Sequence, residues 1–157
     1  MENIKLIIDS SSNMKSDPDH NVEVVPLTIS FGGKDYIDDQ NLNIREFLND
    51  MNQNQVAGKT TCPSIQAWLN ALEGTEKAII ITMTSGMSGT FSSEKKKKTM
   101  YEEKHPTSQI IVVDSRSAGP ELTIVLHGIE KMIQGDIRFV DLEEVIAKFR
   151  MRTHLLF

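Results

Sequence analysis

"KAIIITMTSGMSGTFSS", residues 77–93, is the stretch on which the fold turns. Its opening is almost uninterrupted in apolar character, with no polar face. A strand of that kind has both faces covered, the habit of a parallel sheet held between helices. It then runs into a turn of Thr, Ser, Gly and one Met, with no Lys, Arg or His until Lys95. "IKLIID", residues 4–9, has the same design and runs into Ser10, Ser11 and Ser12; "QIIVVDS", residues 109–115, repeats it. "VEVVPLTISF", residues 22–31, is a further extended segment rich in β-branched residues. Pro26 predicts an edge position or a break there, and Gly32-Gly33 a tight hairpin into "KDYID".

Between these strands the apolar period changes to that of a helix. Ile44, Phe47, Leu48 and Met51 share one stripe, as do Ile65, Trp68, Leu69 and Leu72, with Ser64 as candidate N-cap. Residues 88–105 read as helix despite the lysine run Lys95–Lys98, which forms a solvated face, docks an acidic partner or marks an altered sequence. Four consecutive lysines surround a helix turn, so at least one must face inward or snorkel. Leu122, Val125, Leu126, Ile129, Met132 and Ile133 form another stripe, and Leu142, Val145, Ile146 and Phe149 a last one, with Asp141 as expected cap. Strands alternating with helices predict an α/β fold, a three-layer α/β/α arrangement with a mostly parallel sheet.

The chain has 157 residues and a formal net charge of −5. That is enough for one domain with a core, and the sign disfavours nucleic acid and anionic membranes as partners. The single cysteine, Cys62, excludes an internal disulfide. No apolar run approaches the roughly 20 residues of a membrane span, and "MENIKLIIDSSS" turns polar too soon for a signal peptide. The expected location is therefore cytoplasmic. The stretch "MRTHLLF", residues 151–157, ends apolar, with no capping residue or polar tail. Residues 1–150 are expected to form one lobe and 151–157 to start a second lobe that is largely absent; its uncovered surface would favour a homo-dimer.

Catalytic signatures are missing. "GMSGT", residues 86–90, fails the G-x-S-x-G elbow because Thr90 replaces the second Gly. His20, His105, His127 and His154 sit in no triad context, no His/Asp/Glu group has metal-ligand spacing, and no P-loop is present. No catalytic residue, metal or cofactor is expected.

Ligands of open parallel sheets bind beyond the carboxyl ends of the strands. Four clusters fall where such a rim would lie: residues 9–12, 82–86, 114–117 and the loop 60–64. Each can be a set of helix caps and turn residues only. Together they can form a cradle for a small anion: Thr60, Thr61, Ser64, Ser85 and Ser88 as hydroxyl donors, Gly86 and Gly89 for close backbone approach, and a helix N-terminus near Ser88 aimed at the rim. An enzyme acting on a small acid or phosphate at this rim, or a truncated regulatory fragment without ligand, are the alternatives.

These segments resemble the DegV family. "TTCPS", residues 60–64, is similar to its T-S-x-P-S motif, "TSGMSGTFSS" to its S-S-G-L-S-G-T-Y-x-S segment, and "VVDSRSAGPELTIVL" to its V-x-D-S-x-x-x-S-x-G-x-G-x-x-V stretch. "KLIIDSSSNM" and "VVPLTISFGGKDYID" fit its N-terminal part. The resemblance implies a long-chain fatty acid held between two α/β lobes and, in some members, presented to a separate fatty acid kinase that phosphorylates the carboxylate. It places carboxylate contacts on Thr60 and on the serine-glycine turn, at Ser88 and Gly89 or Ser85. It also implies a chain about twice as long, whose second lobe shares the tail cavity and adds a histidine near the head group.

Overall fold

A computed structural model describes residues 3–54, 56–85 and 90–152. Its strands are β1 (Ile4–Asp9), β2 (Val22–Val25), β3 (Thr28–Phe31), β4 (Lys34–Ile37), β5 (Lys59–Thr61), β6 (Lys77–Thr82) and β7 (Gln109–Asp114). Its helices are α1 (Ile44–Gln53), α2 (Ile65–Leu72), α3 (Thr90–Lys104), α4 (Pro120–Gln134) and α5 (Phe139–Arg150). The continuously apolar strands pair in parallel in the order β2-β1-β6-β7.

Alternation along these strands sorts their side chains onto two covered faces. Leu6, Ile8, Ile79, Ile81, Ile111 and Val113 meet the buried stripes of α4 and α5. Ile7, Ala78, Ile80, Ile110 and Val112 meet Trp68 and Leu72 of α2 and Tyr101 of α3. The result is the expected three-layer α/β/α arrangement, with a core on each side of the sheet. Ser64 caps α2 as expected, its Oγ accepting from Ala67 N–H at 3.1 Å. Asp141 does not cap α5. That helix starts three residues earlier than an Asp141 cap would place it, at Phe139 after Arg138, and Asp141 instead accepts from the Arg138 guanidinium at 2.7 and 3.1 Å.

A second sheet was not anticipated. It is antiparallel, with order β4-β3-β5. Pro26, which has no N–H to give a ladder, separates β2 in the parallel sheet from β3 in this one, and Gly32 and Gly33 turn the β3–β4 hairpin at φ 59° and 79°. The loop expected over residues 60–64 begins as strand: Lys59–Thr61 pairs with β3, Thr60 opposite Ile29 and Thr61 opposite Thr28. Helix α1 closes this sheet through aromatic contacts. Phe31 stacks on Tyr36 with centroids 5.0 Å apart, and Phe47 meets both edge-on at 5.4 and 5.2 Å. Asp50 accepts from Lys34 Nζ at 2.6 Å and from the Tyr36 hydroxyl.

Of the lysine run, Lys95 is exposed, while Lys98 is half-buried with its ammonium 3.8 Å from Glu102. Among the described residues no helix is long and apolar enough to cross a membrane.

The two sheets should differ in stability. Ile80, fully buried in the middle of the parallel sheet, changed to Ala should cost about 2–5 kcal/mol of global stability in urea unfolding. Phe47→Ala removes two aromatic contacts of about 0.5–1.5 kcal/mol each. It should speed amide exchange in β3, β4 and β5 while leaving that of β1 and β6 unchanged.

Candidate functional site

Because β1, β6 and β7 are parallel, their carboxyl ends share one rim, and the three hydroxyl-rich turns assemble there. The chain leaves β1 for β2 on one side and later returns to β6 on the other, so the strand order reverses between β1 and β6. A crevice at such a reversal is the usual ligand position in open α/β sheets.

Two carboxylates organise this rim. Asp9, the last residue of β1, is fully buried. One oxygen accepts from Ser11 N–H at 3.0 Å and from the Ser11 hydroxyl; the other reaches across the crevice to Met83 N–H at 3.3 Å. Asp114, the last residue of β7, accepts from Ser85 N–H at 3.1 Å and Arg116 N–H at 3.0 Å on Oδ1, and from Ser85 Oγ at 2.6 Å on Oδ2. The turn after β6 is thereby hung between the ends of both neighbouring strands. Burial pushes the Asp114 carboxyl up, but the Ser85 hydroxyl, the Arg116 and Ser85 N–H groups and the charge of Arg150 outweigh it, and the group lies below its usual range. Neither aspartate stands among the expected ligand contacts. The signal for them is a repeated tetrad, "IIDS" at 7–10 and "VVDS" at 112–115, two strand-ending aspartates each followed by serine.

Most rim hydroxyls are taken up by this scaffold. Ser10 Oγ accepts from Leu27 N–H at 3.0 Å, which ties the small sheet to the rim. Ser12 Oγ donates to Asp9 C=O, Thr82 Oγ1 to Val113 C=O, Ser115 Oγ to Ser117 C=O and Ser117 Oγ to Ser115 C=O. Ser85 spends both its N–H and its O–H on Asp114, so it has no donor left for a ligand and serves instead to fix the turn.

Thr60 and Thr61 are different. Both are exposed, and neither side chain makes a hydrogen bond among the described residues. Successive strand residues point to opposite faces, so the two hydroxyls cannot converge on one head group. Thr60 is opposite Ile29, which is opposite Tyr36, and so shares the α1-covered face of the small sheet; Thr61 shares the other face with Thr28 and Ile37. Ser64 uses an acceptor lone pair for its cap and keeps its O–H. Gly86, Ser88 and Gly89 lie outside the described residues, as does the start expected for α3 near Ser88. Among the described residues no group of His, Cys, Asp and Glu could hold a metal ion.

Asp114→Asn keeps one acceptor oxygen but puts an NH2 group in place of the other, so at least one of the donors from Ser85 and Arg116 loses its partner. That loss should cost about 1–3 kcal/mol at neutral pH. Because the folded carboxyl is lowered, its contribution is complete above the ordinary carboxylate range near roughly pH 4 and fades as pH falls below it. Urea midpoints of the two proteins should therefore differ by a constant amount from pH 5 upward, as the carboxylate stays ionised there, and converge on acidification.

The chain matches the family model described as "Uncharacterised protein, DegV family" over residues 3–157. A DegV domain-containing protein of Streptococcus gordonii is 34% identical over 139 residues, 88% of this chain and 50% of that relative. One from Streptococcus pneumoniae is 32% identical over 157 residues, 98% of this chain and 56% of the relative. The chain thus spans about half the length of the curated relatives it matches. Among solved structures, a DegV family protein from Eubacterium eligens loaded with heptadecanoic acid superposes with TM-score 0.89 at 31% identity, over 96% of this chain and 54% of that one. The Streptococcus pneumoniae Fatty Acid Kinase (Fak) B3 protein loaded with linoleic acid gives 0.87 at 30%, over 96% and 55%. On the family match and the shared fold, this chain belongs to the DegV family.

Proposed function

We propose that the crevice between β1 and β6 forms the head-group side of a site for a long-chain fatty acid, which the protein binds and presents rather than transforms. The observation that carries this reading is the likeness of 96% of the chain, at TM-scores of 0.89 and 0.87, to two proteins loaded with heptadecanoic and linoleic acid. In this reading Thr60 Oγ1 donates to the carboxylate, and Ser64 O–H is a second available donor. Ser85 acts by holding the turn, through Asp114. Presentation to a fatty acid kinase fits the name of the Streptococcus pneumoniae relative.

Binding without turnover agrees with the placement of the described histidines. His20 is 2.7 Å from Asp17, His105 stacks on Tyr101 and His127 is 2.6 Å from Glu130; none is hydrogen-bonded to a rim hydroxyl. Among the described residues no histidine is then in place to act as a general base there. A cytoplasmic setting accords with one exposed, undisulfided cysteine, Cys62.

Head and tail would do different work. About fifteen buried methylenes contribute on the order of 12 kcal/mol at ~0.8 each, before the cost of ordering the chain. A hydrogen bond to the charged carboxylate contributes about 1.5–3 kcal/mol. The tail therefore dominates affinity, while the head contacts set orientation and tell acid from ester.

Mass spectrometry of an organic extract of the purified protein should find a long-chain fatty acid; an extract without one would count against the reading. Thr60→Val should weaken fatty-acid binding by roughly tenfold to a hundredfold, the equivalent of that one bond, with an unchanged circular dichroism spectrum. Equal affinity of the two proteins would reduce Thr60 to a strand residue.

A further inference from the structure

Beside the rim, and outside the crevice, a cavity of about 230 Å3 opens between α3, the end of β7 and α5. Three cations line it, one from each side: Lys95 from α3, Arg116 from the turn after β7 and Arg150 from the last turn of α5. Two carboxylates, Asp114 and Glu143, line it as well. The oxygens of Asp114 are already filled by donors from Ser85 and Arg116, and its charge is met by Arg150.

Arg116 is the least engaged of the three. Four basic side chains elsewhere lie against single carboxylates: Lys5 with Glu23, Lys34 with Asp50, Arg138 with Asp141 and Lys148 with Glu144. The Arg116 guanidinium has no ion pair or hydrogen bond among the described residues, although the chain carries a net charge of −5. Its backbone is held at φ 55°, where non-glycine residues are uncommon, by the bond from its N–H to Asp114 Oδ1. It stands close enough to Arg150 for the two like charges to oppose each other. For Arg150 the attraction of Asp114 outweighs the opposition of Arg116, so the Arg116 guanidinium is the cation most open to an anion, with Arg150 and Lys95 on the neighbouring walls.

We propose that the cavity between Lys95, Arg116 and Arg150 binds a phosphate group, either free or on the head of a lipid. A planar carboxylate offers two oxygens in one plane. Cations on three walls match a tetrahedral anion with three or four oxygens and up to two charges, and guanidinium forks suit phosphate geometry. The volume exceeds several times the ~30 Å3 share of a water molecule, so a phosphate fits with room for what it is attached to. The proposal uses none of the residues assigned to fatty-acid contact and stands without that reading.

The test follows the Nε–H signals of Arg116 and Arg150 in the 15N-labelled chain. One titration adds inorganic phosphate, with chloride at matched ionic strength as control. A second adds dihexanoyl phosphatidic acid below its micelle concentration. Saturable shifts with phosphate, absent with chloride, are expected. Arg116→Gln should weaken the phosphate Kd at least fivefold, Lys95→Gln should weaken it about twofold to fivefold, and Arg116→Lys should recover part of the loss. Phosphatidic acid binding tenfold or more tightly than phosphate, with the same signals shifting, would assign the lipid head as the source; equal or weaker binding would assign the free anion. Shifts that fail to saturate, that chloride reproduces, or that persist with unchanged Kd in Arg116→Gln overturn the proposal. Neither titration contains a fatty acid, so an empty fatty-acid site does not alter its outcome.

Discussion

The rim depends on two aspartates taken out of water. A buried carboxylate is costly unless its lone pairs are filled, and here the filling makes the structure. Asp9 collects Ser11 and Met83; Asp114 collects Ser85 and Arg116. Each acceptor joins its own strand end to the turn after β6, so the geometry of residues 83–85 is fixed by the parallel register of three strands. Removing either acceptor strands at least one buried donor, which is why the arrangement holds together or fails as a unit.

This scaffold also divides the hydroxyls by role. Those closest to the strand ends are committed within the rim, and the uncommitted ones come from β5 and its continuation, which the small antiparallel sheet supplies. That sheet reaches the rim through Ser10 and Leu27 and is stiffened by Phe31, Tyr36 and Phe47. A rigid α/β body therefore supplies the backing, and a lighter, separately packed unit supplies the hydroxyl assigned to ligand contact.

The major elements were legible because their signals are local. Continuous apolar runs gave β1, β6 and β7, helical stripes gave α1, α2 and α4, and Pro26 with Gly32-Gly33 marked a break and a hairpin, though not the second sheet to which the hairpin belongs. Strand β5 was not legible. It has three exposed residues and no alternation, and only pairing with β3, about thirty positions away, makes it a strand. The commitment of Ser85 was invisible for the same reason: its partner Asp114 is 29 positions distant, as Met83 is 74 positions from Asp9. Composition shows that donors are abundant at the rim. It cannot show which of them the fold has already used.

Charge is layered around this rim in an order that bears on what can bind there. Asp9 and Asp114 are buried at the strand ends with their oxygens hydrogen-bonded, and Lys95, Arg116 and Arg150 line a lateral cavity together with Asp114 and Glu143. An anion placed directly over Asp9 would meet a like charge in a low-dielectric setting, where repulsion is strong. In the proposed reading the carboxylate is therefore held away from Asp9, by the uncommitted hydroxyls of Thr60 and Ser64. In the lateral cavity the carboxylates of Asp114 and Glu143 also stand, so the phosphate proposed there depends on Arg116, Arg150 and Lys95 outnumbering them. Asp114 borders both regions, holding the turn through Ser85 and lining the lateral cavity, while the proposed head-group contacts, Thr60 and Ser64, and the proposed phosphate contacts, Lys95, Arg116 and Arg150, share no side chain.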